Sequence, residues 1–259
     1  MSGSVQVLQQ GARLASYLLL LAVVPACARA ADGLRASLAL TSDYTHRGIS
    51  QSDGTPAPQA SAFYWHPTGV YAGVWASRIR TVNAYAGPAG AYQPDLTPRS
   101  SVELDLTAGF GRRIGTDWVA DFKAVAYTYL HDASPVGYDY VEFSAGAAWR
   151  ERLFASVAVT PASTWRARTG GAHKRAAFDA ELAMQLPLTS WITGAAGVGY
   201  SKLDAAGRSD YAYGSAGLTV QLQRLSFELD RFTTDSRGRW LFGDRIAGAR
   251  TVLTVTVSF

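Results

Sequence analysis

Nine acidic residues recur at alternate positions inside runs of strictly alternating apolar and polar residues: Asp43, Glu103, Asp105, Asp121, Glu142, Asp179, Glu181, Glu228 and Asp230. Four basic residues share their phase: Arg35, Arg47, Lys123 and Arg175. Charges two residues apart on a strand point to the same face. Glu103 with Asp105 is therefore a pair, as are Asp121 with Lys123, Asp179 with Glu181, and Glu228 with Asp230. Lining charges of this kind select ions electrostatically. Catalytic chemistry is poorly represented. His46, His66, His131 and His173 have no metal-ligand spacing and lack the H-x-S-N-G setting of an outer-membrane phospholipase. His131-Asp132 with Ser134 is loop-borne, and no glycine-rich phosphate motif precedes a helix. No cofactor, no metal and no catalytic residue is expected, and the chain is read as a non-enzyme.

The segments that carry these charges predict strands. Val102, Leu104, Leu106, Ala108 and Phe110 interleave with Glu103, Asp105 and Thr107, and the same period of two recurs over 140–149, 175–186, 211–222 and 251–259. Cutting at turn signals yields twelve strands: 35–49, 56–66, 69–80, 100–111, 117–130, 138–149, 152–161, 174–186, 191–203, 209–222, 224–234 and 250–259. No stretch outside the N-terminal region shows helical spacing. Many of these strands exceed the five or six residues usual in soluble sheets and match the roughly 9–11 a tilted membrane strand requires. Connections alternate short and long, as in an up-and-down barrel with short turns at one end, long loops at the other and both termini in the periplasm. The expected fold is all-β: an antiparallel transmembrane barrel of about twelve strands over 31–259. An edge-strand sandwich has no reason to sort loop length by side.

Composition agrees with alternation. The chain has 259 residues, 48% hydrophobic, 17% charged and 12% aromatic, and its mean hydropathy is 0.00. Two interleaved faces cancel toward zero. Thirty aromatic residues exclude disorder. Residues 1–30 read as a cleaved signal, with the apolar run SYLLLLAVVPACA and A-x-A spacing that place cleavage after Ala28 or Ala30. A lipid-modified Cys27 is the alternative, fitted poorly by Pro25. Loss of Arg13 and Arg29 with the signal lowers the formal charge from +4 to +2, so nucleic-acid binding finds no support. It also removes the single cysteine.

The stretch 41–77 carries specific words: Ser42-Asp43-Tyr44, Arg47-Gly48-Ile49-Ser50-Gln51, Asp53-Gly54 and Gly69-Val70-Tyr71-Ala72-Gly73-Val74-Trp75-Ala76-Ser77. With Val102 to Gly109, they resemble the opening of Gcw_chp, a family of secreted proteobacterial proteins of unknown function also described as TorF-like porins. The resemblance is strong over 35–110 and implies an outer-membrane barrel, called a porin by inference, with no established substrate. The long segment 81–99 and the arginine-rich stretch 237–250 depart from the pattern and put loop-level function in question.

On these grounds the chain is expected to be a bacterial outer-membrane porin for passive diffusion of small solutes. An acidic lumen would favour cations or neutral solutes. The alternatives are a non-conducting surface barrel whose loops carry a structural or binding role, and an outer-membrane enzyme. Arg47, Gly48, Ser50, Gln51, Asp53 and Gly54 are read as a rim motif, preferentially a structural latch, with Gly48 permitting close backbone approach and Asp53-Gly54 closing a turn. Trp65, Tyr71, Trp75, Trp118, Trp149 and Trp191 are read as an interfacial girdle. Expected partners are outer-membrane lipid, lipopolysaccharide through basic loops (Arg166, Arg168, His173, Lys174, Arg237, Arg239, Arg245), the barrel-assembly machinery through Phe259, and small solutes.

Overall fold

A computed structural model describes residues 33–80, 83–86, 92–95, 102–130, 139–166, 172–203 and 210–259. Twelve strands form one closed antiparallel barrel. In chain order they are β1 (Leu34–Thr41), β2 (Ala57–Trp65), β3 (Val70–Arg78), β4 (Val102–Ile114), β5 (Trp118–Leu130), β6 (Tyr140–Trp149), β7 (Leu153–Arg166), β8 (Ala172–Pro187), β9 (Ile192–Lys202), β10 (Asp210–Leu222), β11 (Leu225–Thr234) and β12 (Arg250–Ser258). Each pairs with its sequence neighbour, and β1 closes the ring on β12 with Ser37 opposite Ser258 and Thr41 opposite Thr254. Closure satisfies every edge, which a sheet dissolved in lipid requires.

The turns explain the connectivity. Arg150 and Glu151 both take left-handed φ (49° and 56°), as a two-residue hairpin demands, and Gln223 does the same at φ 53°. These tight connections, with Leu34 and Ser258, occupy one end of the barrel. The described long connections, 42–56 and 235–249, occupy the other.

The exterior is apolar along its whole height: Leu38, Leu106, Phe122, Phe143, Leu182, Val198, Leu218, Leu229 and Leu253 all stand exposed. A soluble protein does not carry an apolar surface of this extent; a bilayer supplies the partner for it. The interior is correspondingly polar. Glu103, Asp105, Asp121, Lys123, Glu142, Asp179 and Asp230 are buried there beside inward tyrosines.

Three differences from the sequence reading concern shape. The first strand ends at Thr41, and the chain then turns inward through a small hairpin in which Thr45–His46 pairs with Ile49–Ser50. The stretch 235–249 contains two short helices, α1 (Ser236–Phe242) and α2 (Asp244–Ala247), although no helical spacing was expected there. Seven and four residues are too few to display a period. α1 is held instead by its cap, the Asp235 carboxylate accepting from the Gly238 N–H, and by packing of Phe242 edge-on against Tyr211 at 5.5 Å. The segment 81–99 contains a further hairpin, Asn83–Ala86 with Tyr92–Asp95.

The aromatic girdle is also redrawn. Trp118 and Trp149 are outward-facing partners in register, and Trp191 is half-exposed at a tight turn. Trp65, Tyr71 and Trp75 instead face inward: Trp65 stacks on Tyr71 at 4.0 Å, and Tyr71 and Trp75 are buried. In strand phase, 71 and 75 fall with the polar set, which proximity to a strand end does not reveal.

Candidate functional site

The alternation of each strand decides which charges meet in the lumen. Opposite one another across β3 and β4 are Trp75 with Asp105 and Ser77 with Glu103. Across β4 and β5, Asp105 stands opposite Tyr127 and Glu103 opposite Tyr129. The Asp105 carboxylate is 1% exposed, and neither of its oxygens accepts a hydrogen bond from the protein. Further round, Asp121 accepts from the Tyr71 hydroxyl at 2.8 Å, and Glu181 accepts from Tyr213 at 2.5 Å. Tyr213 can lie flat over the wall because residue 199 is glycine; a Cβ there would sit 2.2 Å from its ring. Lys123 lies in the field of Asp121, Glu142 and Glu181. Glu228 and Asp230 complete the inward acids on β11.

The hairpin supplies the cation at the centre. Arg47 and Gly48 are its two central residues, both with positive φ (49° and 77°), the conformation of a type I′ turn. Gly48 is required twice over, since a Cβ would approach Thr234 Cγ2 to 2.8 Å and Tyr213 Cβ to 2.9 Å. That seating aims Arg47 across the lumen. One guanidinium nitrogen meets Glu142 on β6 at 2.9 Å and the other meets Asp179 on β8 at 3.0 Å. In the ring of twelve, β6 and β8 flank β7, the strand diametrically opposite β1. Arg47 therefore ties the hairpin, whose tip packs on β10 and β11, to β6 and β8. Its carbonyl accepts from the Tyr211 hydroxyl at 3.2 Å.

Asp43 anchors the hairpin base. It accepts from Ser50 Oγ (2.5 Å), Ser52 Oγ (2.8 Å) and the Gly54 N–H (3.2 Å), and pairs with Arg250 at 2.9 Å. Tyr44 packs on Trp75 with ring centroids 5.2 Å apart. Ile49 joins Tyr211, Tyr213, Phe232, Val252 and Ala247 in an apolar cluster beneath α2, and Asp53 pairs with Arg245 of that helix. Gln51 stays local, donating to the Ile49 carbonyl at 3.1 Å. The residues read as a rim motif thus divide: Ser50, Asp53 and Gly54 tie the hairpin at the mouth, while Arg47 and Gly48 carry it into the lumen.

His46 is enclosed beside Tyr127, ring centroids 6.3 Å apart. Burial, with a smaller contribution from Arg47, pushes its pKa down to about 3, so the ring is neutral at ordinary pH.

The sequence did not place Arg250, Tyr44, His46 or Trp75 in the lumen. Arg250 on β12 and Trp75 on β3 stand in the inward phase, which was the available signal; Tyr44 and His46 needed the hairpin's inward turn to be known. Among the described residues, no group of three His, Cys, Asp or Glu side chains gathers to hold a metal. His131, Asp132, Ser134 and Arg168 lie outside the described residues, as do the side chains of Arg166, His173, Lys174 and Arg175.

A family model for a bacterial protein of unknown function, Gcw_chp, matches residues 26–252. The chain belongs to the Gcw_chp family. No curated protein matches it. Among solved structures, this Gcw_chp barrel is similar to the NanC porin, with TM-score 0.55 and 9% identity over 87% of this chain and 98% of that one. It is also similar to the KdgM porin (TM-score 0.49, 7% identity, 88% and 98%). A third similar structure is the translocator domain of the autotransporter NalP from Neisseria meningitidis (0.46, 11%, 90% and 90%). At such identities the likeness to NanC is one of fold. The Gcw_chp chain is a closed twelve-stranded antiparallel barrel similar in fold to NanC, and the chemistry of its lumen must be read from its own residues.

Proposed function

We propose that this Gcw_chp barrel is a bacterial outer-membrane channel for passive diffusion of small solutes, passing cations and neutral molecules in preference to anions. The long loops face the cell exterior and both termini the periplasm. The observation that carries this reading is the sign imbalance of the lumen. The inward acids Asp43, Glu103, Asp105, Asp121, Glu142, Asp179, Glu181, Glu228 and Asp230 outnumber the inward bases Arg35, Arg47, Arg113, Lys123 and Arg250 among the described side chains. Arg47 neutralises part of Glu142 and Asp179, and Arg250 part of Asp43; the excess of inward acids over inward bases leaves a negative path. No step of this function needs a cofactor or a covalent intermediate.

Twelve strands lie between barrels of about eight, filled by side chains, and those of about sixteen with an aqueous channel. The hairpin supports a second reading for that reason. Seated across the lumen, it makes a non-conducting surface barrel the competing function. Liposome swelling separates the two. Proteoliposomes of the refolded barrel should swell in small neutral and cationic solutes and respond more slowly to anionic ones of equal size. Absence of swelling in every solute would favour the closed barrel.

The partners follow the same assignment. Outer-membrane lipid covers the exterior, and Phe259 at the end of β12 is the handle for the barrel-assembly machinery. Contact with lipopolysaccharide through loop arginines is weakened by their internal pairing: Arg237 engages Asp210, Arg239 Asp244 and Arg245 Asp53.

A further inference from the structure

One row of the sheet places a cation on the outward face. In register, Met184 on β8 pairs with Ala196 on β9, Ala196 with Ala216 on β10, Ala216 with Arg231 on β11, and Arg231 with Thr251 on β12. Met184 is an exposed outward residue, so all five share its face. Arg231 is therefore an exposed arginine among outward apolar residues, with Leu229 exposed beside it in the same phase. A guanidinium has five donors; the one contact here runs from Arg231 Nη1 to the Thr251 hydroxyl, at 3.0 Å.

Below Arg231 the surface is hollowed. A groove of about 500 Å³ runs between the Met184–Leu186 ridge and Leu218 with Leu229, a size typical of small-ligand sites. Its floor is recessed because Gly194, Ala196 and Ala216 stand where neighbouring rows carry Leu or Val. The groove begins at Leu188, in a tight turn, and ends at Arg231 and Thr251. Arg231 is three residues from the long-loop end of β11, and Thr251 is one residue from the long-loop end of β12. The row thus climbs from the short-turn side to the long-loop side.

We infer that this groove is a binding site for one outer-leaflet glycolipid, the phosphorylated lipid A moiety of lipopolysaccharide. An acyl chain lies along Gly194, Ala196 and Ala216, and a lipid phosphate sits on the Arg231 guanidinium. The charge is the deciding feature. An arginine facing hydrocarbon is costly unless it reaches an anion at the interface, and its planar fork fits a phosphate in bidentate fashion. A second copy of this chain would have to bring its own acid to the same spot, yet the outward side chains around the groove are otherwise Leu, Met, Ala, Gly and Thr, the adjoining Asp230 being buried in the inward phase. The choice of lipid A over a periplasmic-leaflet phospholipid rests on the orientation proposed above.

Native mass spectrometry of the refolded full barrel in detergent, titrated with bisphosphorylated lipid A, dephosphorylated lipid A or phosphatidylethanolamine, tests the site. The wild-type barrel should retain one bisphosphorylated lipid A in preference to the other two. Arg231→Ala should weaken that binding at least about tenfold, by loss of a charge-assisted contact. Ala216→Leu should weaken it by filling the floor while leaving Arg231 in place. Both substitutions keep an apolar residue on a lipid-facing position, and heat-modifiable gel migration verifies closure. Equal retention of the three lipids, or unchanged binding by Arg231→Ala, overturns the site. Orientation is read separately, by labelling Gly54→Cys on intact cells with an impermeant maleimide. A barrel that binds lipid A but is not labelled contradicts the orientation and not the groove.

Discussion

Removing the Arg47 guanidinium leaves Glu142 and Asp179 close together on β6 and β8 with their shared cation gone. One-sided loss of a buried ion pair costs about 3–5 kcal/mol, and Arg47→Ala should fall near the lower bound because water can enter the vacated lumen. Urea unfolding in detergent micelles checks this. The companion Arg47→Ala/Glu142→Gln/Asp179→Asn should recover most of the loss, since no uncompensated charge remains. His46 makes a prediction of opposite origin. Its pKa is depressed to about 3 where the hairpin is seated, and returns to about 6.5 if the hairpin leaves the lumen. The seated form then binds fewer protons, so seating is fully favoured above pH 6.5 and weakens as pH falls toward 3. Channel conductance should rise on acidification across that window. His46→Gln should flatten the part of the rise that is due to this ring; an identical profile in that variant would exclude His46 as the titrating group.

At the scale of elements, the hairpin is the adjustable part of a rigid barrel. Gly48→Val places a side chain on a left-handed φ of 77° and against Thr234 and Tyr213, so the hairpin cannot seat. The expected outcome is larger single-channel conductance in a barrel that still migrates as folded, because none of the twelve strands is touched. Unchanged conductance would mean the hairpin does not narrow the path. The strands themselves were legible because a period of two and a one-face charge phase are local properties; β4, with Val102 to Phe110 alternating around Glu103 and Asp105, is the clearest case. The hairpin was not. Thr45 to Ser50 continues the composition of β1, and its inward fold is decided by distant partners: Glu142, Asp179, Tyr211 and Arg250. The same holds for α1 and α2, of seven and four residues: α1 rests on the Asp235 cap and Tyr211, α2 on the cluster that Ala247 joins. The inward faces of Trp65, Tyr71 and Trp75 could be counted from strand phase, but closeness to the strand ends pointed to the membrane interface instead.

For the whole molecule, mean hydropathy near zero and low charge describe two surfaces averaged together. The outer surface is mostly apolar, its charges (Arg78, Arg112, Lys202, Asp210, Arg231) lying near strand ends; the inner one holds nine acids. On the proposed reading a cation crossing the barrel would meet Glu103, Asp105, Asp121, Glu181, Glu228 and Asp230, with Arg35, Arg47, Arg113, Lys123 and Arg250 as the opposing charges. Screening should reduce the resulting selectivity as ionic strength rises, since the Debye length falls from about 10 Å at 0.1 M to about 3 Å at 1 M; ion permeability ratios at the two salt concentrations check this. The zero-current potential of the refolded barrel in a planar bilayer under a potassium chloride gradient tests the central claim most directly. An acidic lumen predicts a potential of the sign set by potassium permeating faster than chloride, larger in Arg47→Ala. A potential of chloride sign, or no conductance in either protein, would contradict it.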